Sequence, residues 1–113
     1  MLSDQDARRD GVIIDFLGRP ASTPKGAAAF ALKTNCAIFV PMIVRDKLTK
    51  HTLHIEGPFF IEKSGDKEED IKQLTQVYSD VLAEYIKRHP DHWFWAHRRW
   101  KSTFPEDYGL KKD

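Results

Sequence analysis

The sequence lacks three things: a pair of cysteines, an appreciable net charge and a long apolar segment. Its single cysteine, Cys36, cannot form an internal disulfide, so an oxidised secreted scaffold is not indicated. The apolar neighbours of Cys36 predict a buried, inert thiol. The formal net charge is +1, from 18 basic and 17 acidic residues. Charge over the whole chain therefore favours neither nucleic acid nor a membrane surface as a partner.

Long apolar runs are also missing. Nothing approaches the roughly 20 apolar residues that a membrane-spanning helix needs, and no apolar region of a signal peptide follows Met1. We therefore expect any membrane contact to be made from the side, or through a segment outside this sequence. What is present is the composition of a folded domain, or part of one, in 113 residues with 41% hydrophobic and 31% charged side chains.

The first half of the sequence predicts two strands and a helix. Residues 12–16 are β-branched and apolar, which is typical of a short strand, and a loop rich in glycine and proline should follow to residue 24. Thr23 and Pro24 resemble a helix start, with a helix over residues 25–34. Residues 37–44 are almost wholly apolar, which favours a strand buried on both faces, as in a parallel sheet.

The second half predicts a half-buried strand over residues 52–57, a loop over 58–66 and a long helix over 67–88. In that helix, apolar residues recur every three or four positions, and acidic residues begin it while basic residues end it. The elements together predict an α/β fold, with a mixed sheet flanked by helices and a long amphipathic helix near the C-terminus.

The basic–aromatic segment, residues 89–101, contains all three tryptophans and three of the five histidines. Tryptophans interleaved with arginines can stack nucleic-acid bases, can lie at a membrane interface, or can close a core. Two shorter motifs also allow more than one interpretation. Asp4-Gln5-Asp6 fits a site at a strand end or a solvated turn. The loop before the helix fits an anion site near Arg19 and Lys25, or an ordinary capped loop.

His51 and Glu56 have the His-x-x-x-x-Glu spacing of an acyltransferase dyad. On a strand, however, residues five apart face opposite ways and lie about 17 Å apart at ~3.3 Å per residue, so this pair should not form a dyad. His51 and His54 are expected to be exposed strand residues. The histidines at 89, 92 and 97 have no recognisable zinc spacing, so no metal site is expected.

Four pieces of the sequence occur in the order of one known family. They are Asp-Gln-Asp at 4–6, Phe-Leu-Gly-Arg-Pro-Ala-Ser-Thr at 16–23, Val-Pro at 40–41, and Pro-Asp-His-Trp-Phe-Trp-Ala-His-Arg-Arg-Trp-Lys at 90–101. This order resembles the lipid A biosynthesis lauroyl/myristoyl acyltransferases of the lysophospholipid acyltransferase superfamily. Leu17 stands where the family pattern has a second phenylalanine.

The resemblance implies an enzyme on the cytoplasmic face of the bacterial inner membrane, acting in lipopolysaccharide biosynthesis. It would transfer a fatty acyl chain from acyl carrier protein to a hydroxyl of a lipid A precursor, without a cofactor or a nucleic-acid partner. In the family a His-x-x-x-x-Asp/Glu dyad and a membrane anchor precede Asp-Gln-Asp, so this chain should contain neither. We therefore expect residues 1–113 to be the C-terminal part of a single acyltransferase domain, inactive by itself.

The resemblance assigns roles without a catalytic residue. Substrate-pocket candidates are Asp4, Gln5, Asp6 and Arg19. Candidates for lipid-headgroup contacts or for stabilising the fold are His97, Arg98, Arg99 and Lys101. An alternative is a non-enzymatic basic–aromatic module that binds anionic lipid or RNA, which should then show a steep salt dependence.

Overall fold

The computed structural model describes residues 1–110 and contains two helices and four strands. In chain order they are β1 (Val12–Phe16), β2 (Arg19–Thr23), α1 (Gly26–Thr34), β3 (Ile38–Arg45), β4 (His51–Phe59) and α2 (Lys67–Arg88). Three short 3-10 helices lie at Arg8–Asp10, Pro90–His92 and Pro105–Tyr108. This content confirms the predicted α/β class and the long helix near the C-terminus. In place of the single mixed sheet that was predicted, the strands are divided between two small antiparallel sheets.

The first hairpin is formed by β1 and β2, which pair from Val12–Thr23 to Phe16–Arg19. Its turn consists of Leu17 and Gly18, with φ of 54° and 81°. Positive φ at both central residues gives a turn whose twist matches that of the strands, and glycine adopts it without strain. The long loop predicted after Phe16 is therefore wrong, because a two-residue turn lets the following residues pair with β1.

Helix α1 begins at Gly26, and Lys25 occupies the position before it without a side-chain cap. The predicted Thr23 cap is wrong, because Thr23 is the last residue of β2 and its hydroxyl accepts a hydrogen bond from a distant arginine. The helix ends where Asn35 takes the left-handed conformation at φ 55°. Cys36 follows on the surface, so the prediction of a buried thiol is also wrong.

The second hairpin is formed by β3 and β4, with Pro41 opposite Ile55 and Ile43 opposite Leu53. Residues 37–44 were predicted to form a strand buried on both faces, and this is wrong. Alternate residues of β3 are exposed, because the hairpin packs on α2 with one face only. Strand β4 continues to Phe59, so the loop predicted from residue 58 starts later.

Helix α2 contacts both hairpins and has the predicted bounds. Asp66 caps it by accepting hydrogen bonds from the backbone N–H groups of Glu68 and Glu69. Its N-terminal half packs against α1 and β3 in one apolar cluster, and its C-terminal half packs against the first hairpin and two tryptophans in another. A single helix therefore links two separate small cores.

The molecule is a slab of 47 × 40 × 20 Å with a radius of gyration of 15.1 Å. A chain of this length folded as a compact sphere has a radius of gyration of about 13 Å. A slab this thin covers its sheets on one face only. Much of the second hairpin therefore meets solvent.

Candidate functional site

Asp6 joins the N-terminal residues to the basic–aromatic segment. Its carboxylate accepts hydrogen bonds from the backbone N–H and the hydroxyl of Ser102, and from the backbone N–H of Arg8. Its own N–H donates to Nε2 of His97 over 3.1 Å. Two of the motifs singled out in the sequence, more than ninety residues apart, are thus in direct contact.

Arg99 lies near the C-terminal end of the basic–aromatic segment and is only 1% exposed. Its guanidinium donates to the carbonyl of Ser22 over 2.7 Å and to the hydroxyl of Thr23, and it lies 4.9 Å from the ring centre of Phe16. Burial lowers the pKa of Arg99, while the nearby charges of Asp6 and Asp4 raise it. Arg99 therefore holds the basic–aromatic segment against the first hairpin and does not reach solvent.

Arg19 has a different environment. Its guanidinium forms an ion pair with Asp107 at 2.6 Å and lies 4.2 Å from the ring centre of Phe104 and 5.8 Å from that of Trp100. Within residues 1–110 no hydrogen bond or ion pair joins Arg19 to the residues of the Asp-Gln-Asp motif. Arg19 is therefore held by Asp107 and two aromatic rings and makes no direct polar contact with that motif.

The remaining predicted residues differ in exposure. Gln5, Arg98 and Lys101 are exposed, and the guanidinium of Arg98 lies 6.0 Å from the ring centre of Tyr108. Asp4 is partly buried and lines two neighbouring cavities. Within the Asp-Gln-Asp motif, Asp4 therefore lines a cavity, whereas Asp6 is hydrogen-bonded to His97 and Ser102.

The tryptophans of the basic–aromatic segment divide in the same way. Trp93 and Trp100 pack on Phe16, with ring centres 5.8 and 6.1 Å away, and they belong to the core next to the first hairpin. Phe94 and Trp95 remain exposed. Two of the three tryptophans therefore help to close a core and are only partly exposed.

The larger cavity is a groove of about 570 Å³ between the N-terminal residues, α1, β3 and the middle of α2. Its walls are mainly apolar, and they include Leu2, Ala27, Phe30, Ala31, Phe39, Val40 and Leu82. This volume lies within the range of roughly 300–1,000 Å³ found for small-molecule sites. The groove is suited to a long apolar ligand.

Polar groups in the groove are few. Asp4 is the one ionisable carboxylate on its wall. The hydroxyl of Tyr78, also on the wall, donates to the carbonyl of Pro24 over 3.1 Å, and burial raises its pKa. Ser3, Cys36 and Ser79 also line the groove, and among the described residues its wall has neither a histidine nor a lysine. It can therefore bind an apolar chain but holds no paired base.

The smaller cavity, about 220 Å³, lies between β3 and the C-terminal half of α2. It shares Asp4, Met42 and Leu82 with the groove, so the two volumes adjoin, and His89 and His92 lie at its far end. Asp4 thus stands where an apolar groove meets a smaller space lined with histidine.

Two histidines of the basic–aromatic segment have their Nε2 atoms occupied. Nε2 of His92 accepts a hydrogen bond from the backbone N–H of Arg45 over 2.9 Å. Nδ1 of the same ring lies 3.0 Å from the carboxylate of Asp91, and this hydrogen bond lowers the pKa of Asp91. Nε2 of His97 accepts the N–H of Asp6. A ring nitrogen that accepts a backbone N–H cannot also take a proton from a bound hydroxyl.

His51 and Glu56, the pair with dyad spacing, lie on opposite faces of β4 as predicted. His51 is exposed, and Glu56 points inward and accepts a hydrogen bond from the hydroxyl of Tyr85 over 2.6 Å. That bond raises the pKa of Tyr85. His54 was expected to be exposed, but it packs 5.6 Å from the ring centre of Tyr85, because the polar face of β4 turns towards α2.

Two further properties hold for the described residues. Neither α1 nor α2 combines the length and hydropathy required to cross a bilayer. No group of three or more potential metal ligands occurs within residues 1–110.

The family model described as bacterial lipid A biosynthesis acyltransferase matches residues 1–102. The chain belongs to this family. The match includes the groove, the contact of Asp6 with Ser102, and buried Arg99, and it confirms the resemblance inferred from the four motifs.

The chain is similar in sequence to two curated proteins, the phosphatidylinositol mannoside acyltransferases of Mycobacterium tuberculosis strains CDC 1551 / Oshkosh and ATCC 25618 / H37Rv. Each is 28% identical over 114 residues, which cover 94% of this chain and 32% of the relative. The chain thus spans about a third of the length of the curated relatives it matches.

The groove was not predicted from the sequence, and its residues carry no single motif. Phe30, Phe39 and Tyr78 come from three elements, and each alone is an ordinary apolar or aromatic position. A partial signal was available: α1 is rich in alanine, whose small side chain fills little of the space beside a helix.

Proposed function

We propose that this chain forms the C-terminal part of a single acyltransferase domain that moves a fatty acyl chain from acyl carrier protein to a hydroxyl of a lipid A precursor. The observation that carries the proposal is the family match over residues 1–102. A phosphatidylinositol mannoside is the alternative acceptor, because two curated relatives bear that name. In either case the acceptor is a lipid that presents hydroxyl groups.

The groove supports a role in holding the acyl chain. Its walls are apolar along α1 and β3, and Asp4 marks the end that adjoins the smaller cavity. An acyl chain in the groove is stabilised by removal of its methylene groups from water, at about 0.8 kcal/mol per group. The thioester would then lie towards the polar end.

The base that deprotonates the acceptor hydroxyl is proposed to come from the family dyad, N-terminal to Asp4. His92 and His97 use their Nε2 atoms in backbone contacts, and Glu56 is bonded to Tyr85. His89 lines the smaller cavity, but within residues 1–110 no carboxylate is hydrogen-bonded to its ring. We therefore expect the 113-residue chain to bind acyl groups without transferring them. The complete enzyme is proposed to act at the cytoplasmic face of the bacterial inner membrane.

Binding of a fluorescent medium-chain fatty acid to the purified chain tests the groove. Phe30 lines the groove and is 56% exposed, so Phe30→Asp should fold and should weaken binding several-fold. Lys33→Asp, an exposed change on the same helix but outside the groove, is the matched control. Equal binding by both variants would refute the groove as the acyl site.

A second assay tests the missing base. Acyl carrier protein loaded with a labelled acyl chain is mixed with the chain and a lipid A precursor, and then with a phosphatidylinositol mannoside. We expect no labelled product from either acceptor. Transfer by the purified chain alone would overturn the proposal that the base lies outside it.

A non-enzymatic basic–aromatic module remains the second candidate, and one observation favours it: Phe94 and Trp95 are exposed beside Arg98 and Lys101. Its anionic ligand would be lipid or RNA. It predicts binding of single-stranded RNA or anionic vesicles that falls steeply with salt and is lost in Trp95→Ala. Because Trp93, Arg99 and Trp100 are taken up by packing, we expect no RNA binding.

A further inference from the structure

The outer face of the second hairpin is apolar and exposed. We call this surface the hairpin patch; it consists of Phe39, Pro41, Ile43, Leu53 and Ile55. The four large side chains are each between 55% and 64% exposed. Pairing of Pro41 with Ile55 and of Ile43 with Leu53 brings these side chains onto one continuous surface. Single exposed apolar residues are common, but a contiguous group of this kind marks a contact surface.

The tip of the same hairpin is basic. Arg45, Lys47 and Lys50 are exposed there, and among the described residues none of them forms an ion pair. The one carboxylate of the turn, Asp46, accepts a hydrogen bond from the hydroxyl of Thr52. Leu48, at the apex, is 94% exposed. The hairpin therefore combines an apolar face and an apolar apex with three unpaired cations.

This combination is complementary to the surface of an anionic bilayer. Apolar side chains gain by entering the boundary between headgroups and acyl chains, while lysine and arginine gain by approaching anionic headgroups. A second copy of the chain, or the part of the proposed domain that lies N-terminal to Asp4, would also bury the hairpin patch, but neither accounts for the three cations at the tip. The charge at the tip thus favours the lipid surface over self-association.

The hairpin patch also leads into the groove. Phe39 and Pro41 belong to the patch and line the groove as well. An apolar chain could therefore pass from a bilayer beneath the hairpin to the groove along one apolar surface. In an enzyme that acts on lipids, the exposed face would therefore lead an acyl chain from the bilayer to the groove. This role rests on the proposed function.

We propose that the second hairpin docks this protein on an anionic bilayer, with Leu48 and the hairpin patch entering the interface and Arg45, Lys47 and Lys50 on the headgroups. The docking surface is therefore the hairpin, whereas the basic–aromatic segment has Arg99 buried and two of its tryptophans packed against the core.

Co-sedimentation of the purified chain with phosphatidylcholine vesicles, with and without phosphatidylglycerol, tests the proposal. We expect binding only with phosphatidylglycerol, and weaker binding as salt rises. Ile43→Ser combined with Leu53→Ser should reduce binding at least ten-fold. Lys47→Gln and Lys50→Gln should each reduce it roughly five-fold, as expected for a lysine at an anionic surface. Lys33→Gln and Lys72→Gln, exposed changes on α1 and α2, are the matched controls and should bind like the parent.

All of the substituted side chains are exposed, and circular dichroism will verify that the variants fold. Absence of binding to phosphatidylglycerol vesicles would overturn the proposal. So would loss of binding in Phe94→Ser combined with Trp95→Ser while the hairpin variants bind normally. A dimer that the Ile43 and Leu53 changes convert to monomer, without vesicle binding, would assign the patch to a second copy instead. Acyl binding in the groove is measured without vesicles, so either result can fail independently of the other.

Discussion

The two hairpins have the same antiparallel pairing and opposite environments. In the first, Ile14, Phe16 and Ala21 are at most 2% exposed. In the second, only Val44 of β3 is buried, although six of the eight residues of that strand are hydrophobic. The contrast shows that apolar composition does not decide burial. What decides it is whether other elements cover both the strand and its partner.

The two hairpins are also held differently. The first is packed between α2, Trp93 and Trp100 and is fixed by Arg99. The second packs on the cluster beside α1 through Ile38 and Val40, which are only partly buried, and polar bonds such as that of Tyr85 with Glu56 also hold it. We therefore expect the first hairpin to carry much of the stability and the second to tolerate change.

The sharpest test of this difference is one substitution made in both hairpins. Phe16→Ala removes a ring that is 1% exposed and should lower the free energy of unfolding by about 3–5 kcal/mol. Phe39→Ala removes a ring that is 55% exposed and should change it by about 0.5 kcal/mol or less. Urea unfolding measures both. Similar losses would mean that the second hairpin is buried in solution.

A slightly smaller effect is expected at the arginine that fixes the first hairpin. Arg99→Ala removes two hydrogen bonds from a buried guanidinium, and the loss should be about 3 kcal/mol. Arg98→Ala, next to it on the surface, is the control and should cost about 0.5 kcal/mol or less. Thermal unfolding compares the two. A stable Arg99→Ala protein would show that tryptophan packing alone holds the segment.

The polar ties of the second hairpin should give smaller changes. Tyr85→Phe removes the bond to Glu56 and should lower the urea midpoint by less than Arg99→Ala does. The pKa of Tyr85 is raised in the folded state, because its hydroxyl donates to Glu56. The stabilisation is therefore full below the unfolded-state pKa of about 10 and is lost as pH rises through the folded-state value. Tyr108→Phe is the control. Identical alkaline profiles for parent and Tyr85→Phe would contradict this account.

The smallest effect concerns the connection from β4 to α2. Asp70 accepts hydrogen bonds from the N–H and the hydroxyl of Ser64, and these bonds lower its pKa. Its stabilisation is full above the unfolded-state pKa of about 3.9 and is lost as pH falls through the lower folded-state value. Asp70→Asn should therefore flatten the acid limb of stability against pH. Glu68→Gln, an exposed change in the same helical turn, is the control and should leave that limb almost unchanged. If both variants changed it equally, the acid dependence could not be assigned to Asp70.

Helix α2 could be predicted to the residue because its information is local. Apolar spacing, the acidic first turn and Pro90 after its end all lie within or beside it. The strand after α1 was also predictable as a strand. Its covered face was not, because residues 37–44 are apolar at nearly every position and the alternation that distinguishes two faces is absent.

The candidate site shows the same limit. The basic–aromatic segment was recognisable as a family motif, and the family match agrees. That Arg99 turns inward to Ser22 and Thr23 while Arg98 stays exposed depends on contacts across more than seventy residues. Spacing within the motif does not contain that information. The groove is equally non-local, since three elements and the N-terminal residues must meet to form it.

The bond between Asp6 and Ser102 joins residues 96 positions apart. Closing so long a loop is entropically costly, and contacts of this sequence separation slow folding and tend to form after local ones. During synthesis α2 can form while the basic–aromatic segment is still inside the ribosome, but the N-terminal residues must wait for their partner. We expect this contact to form last in folding and to open first under native conditions. Amide exchange at Ser102 would then precede exchange in the buried middle of α2.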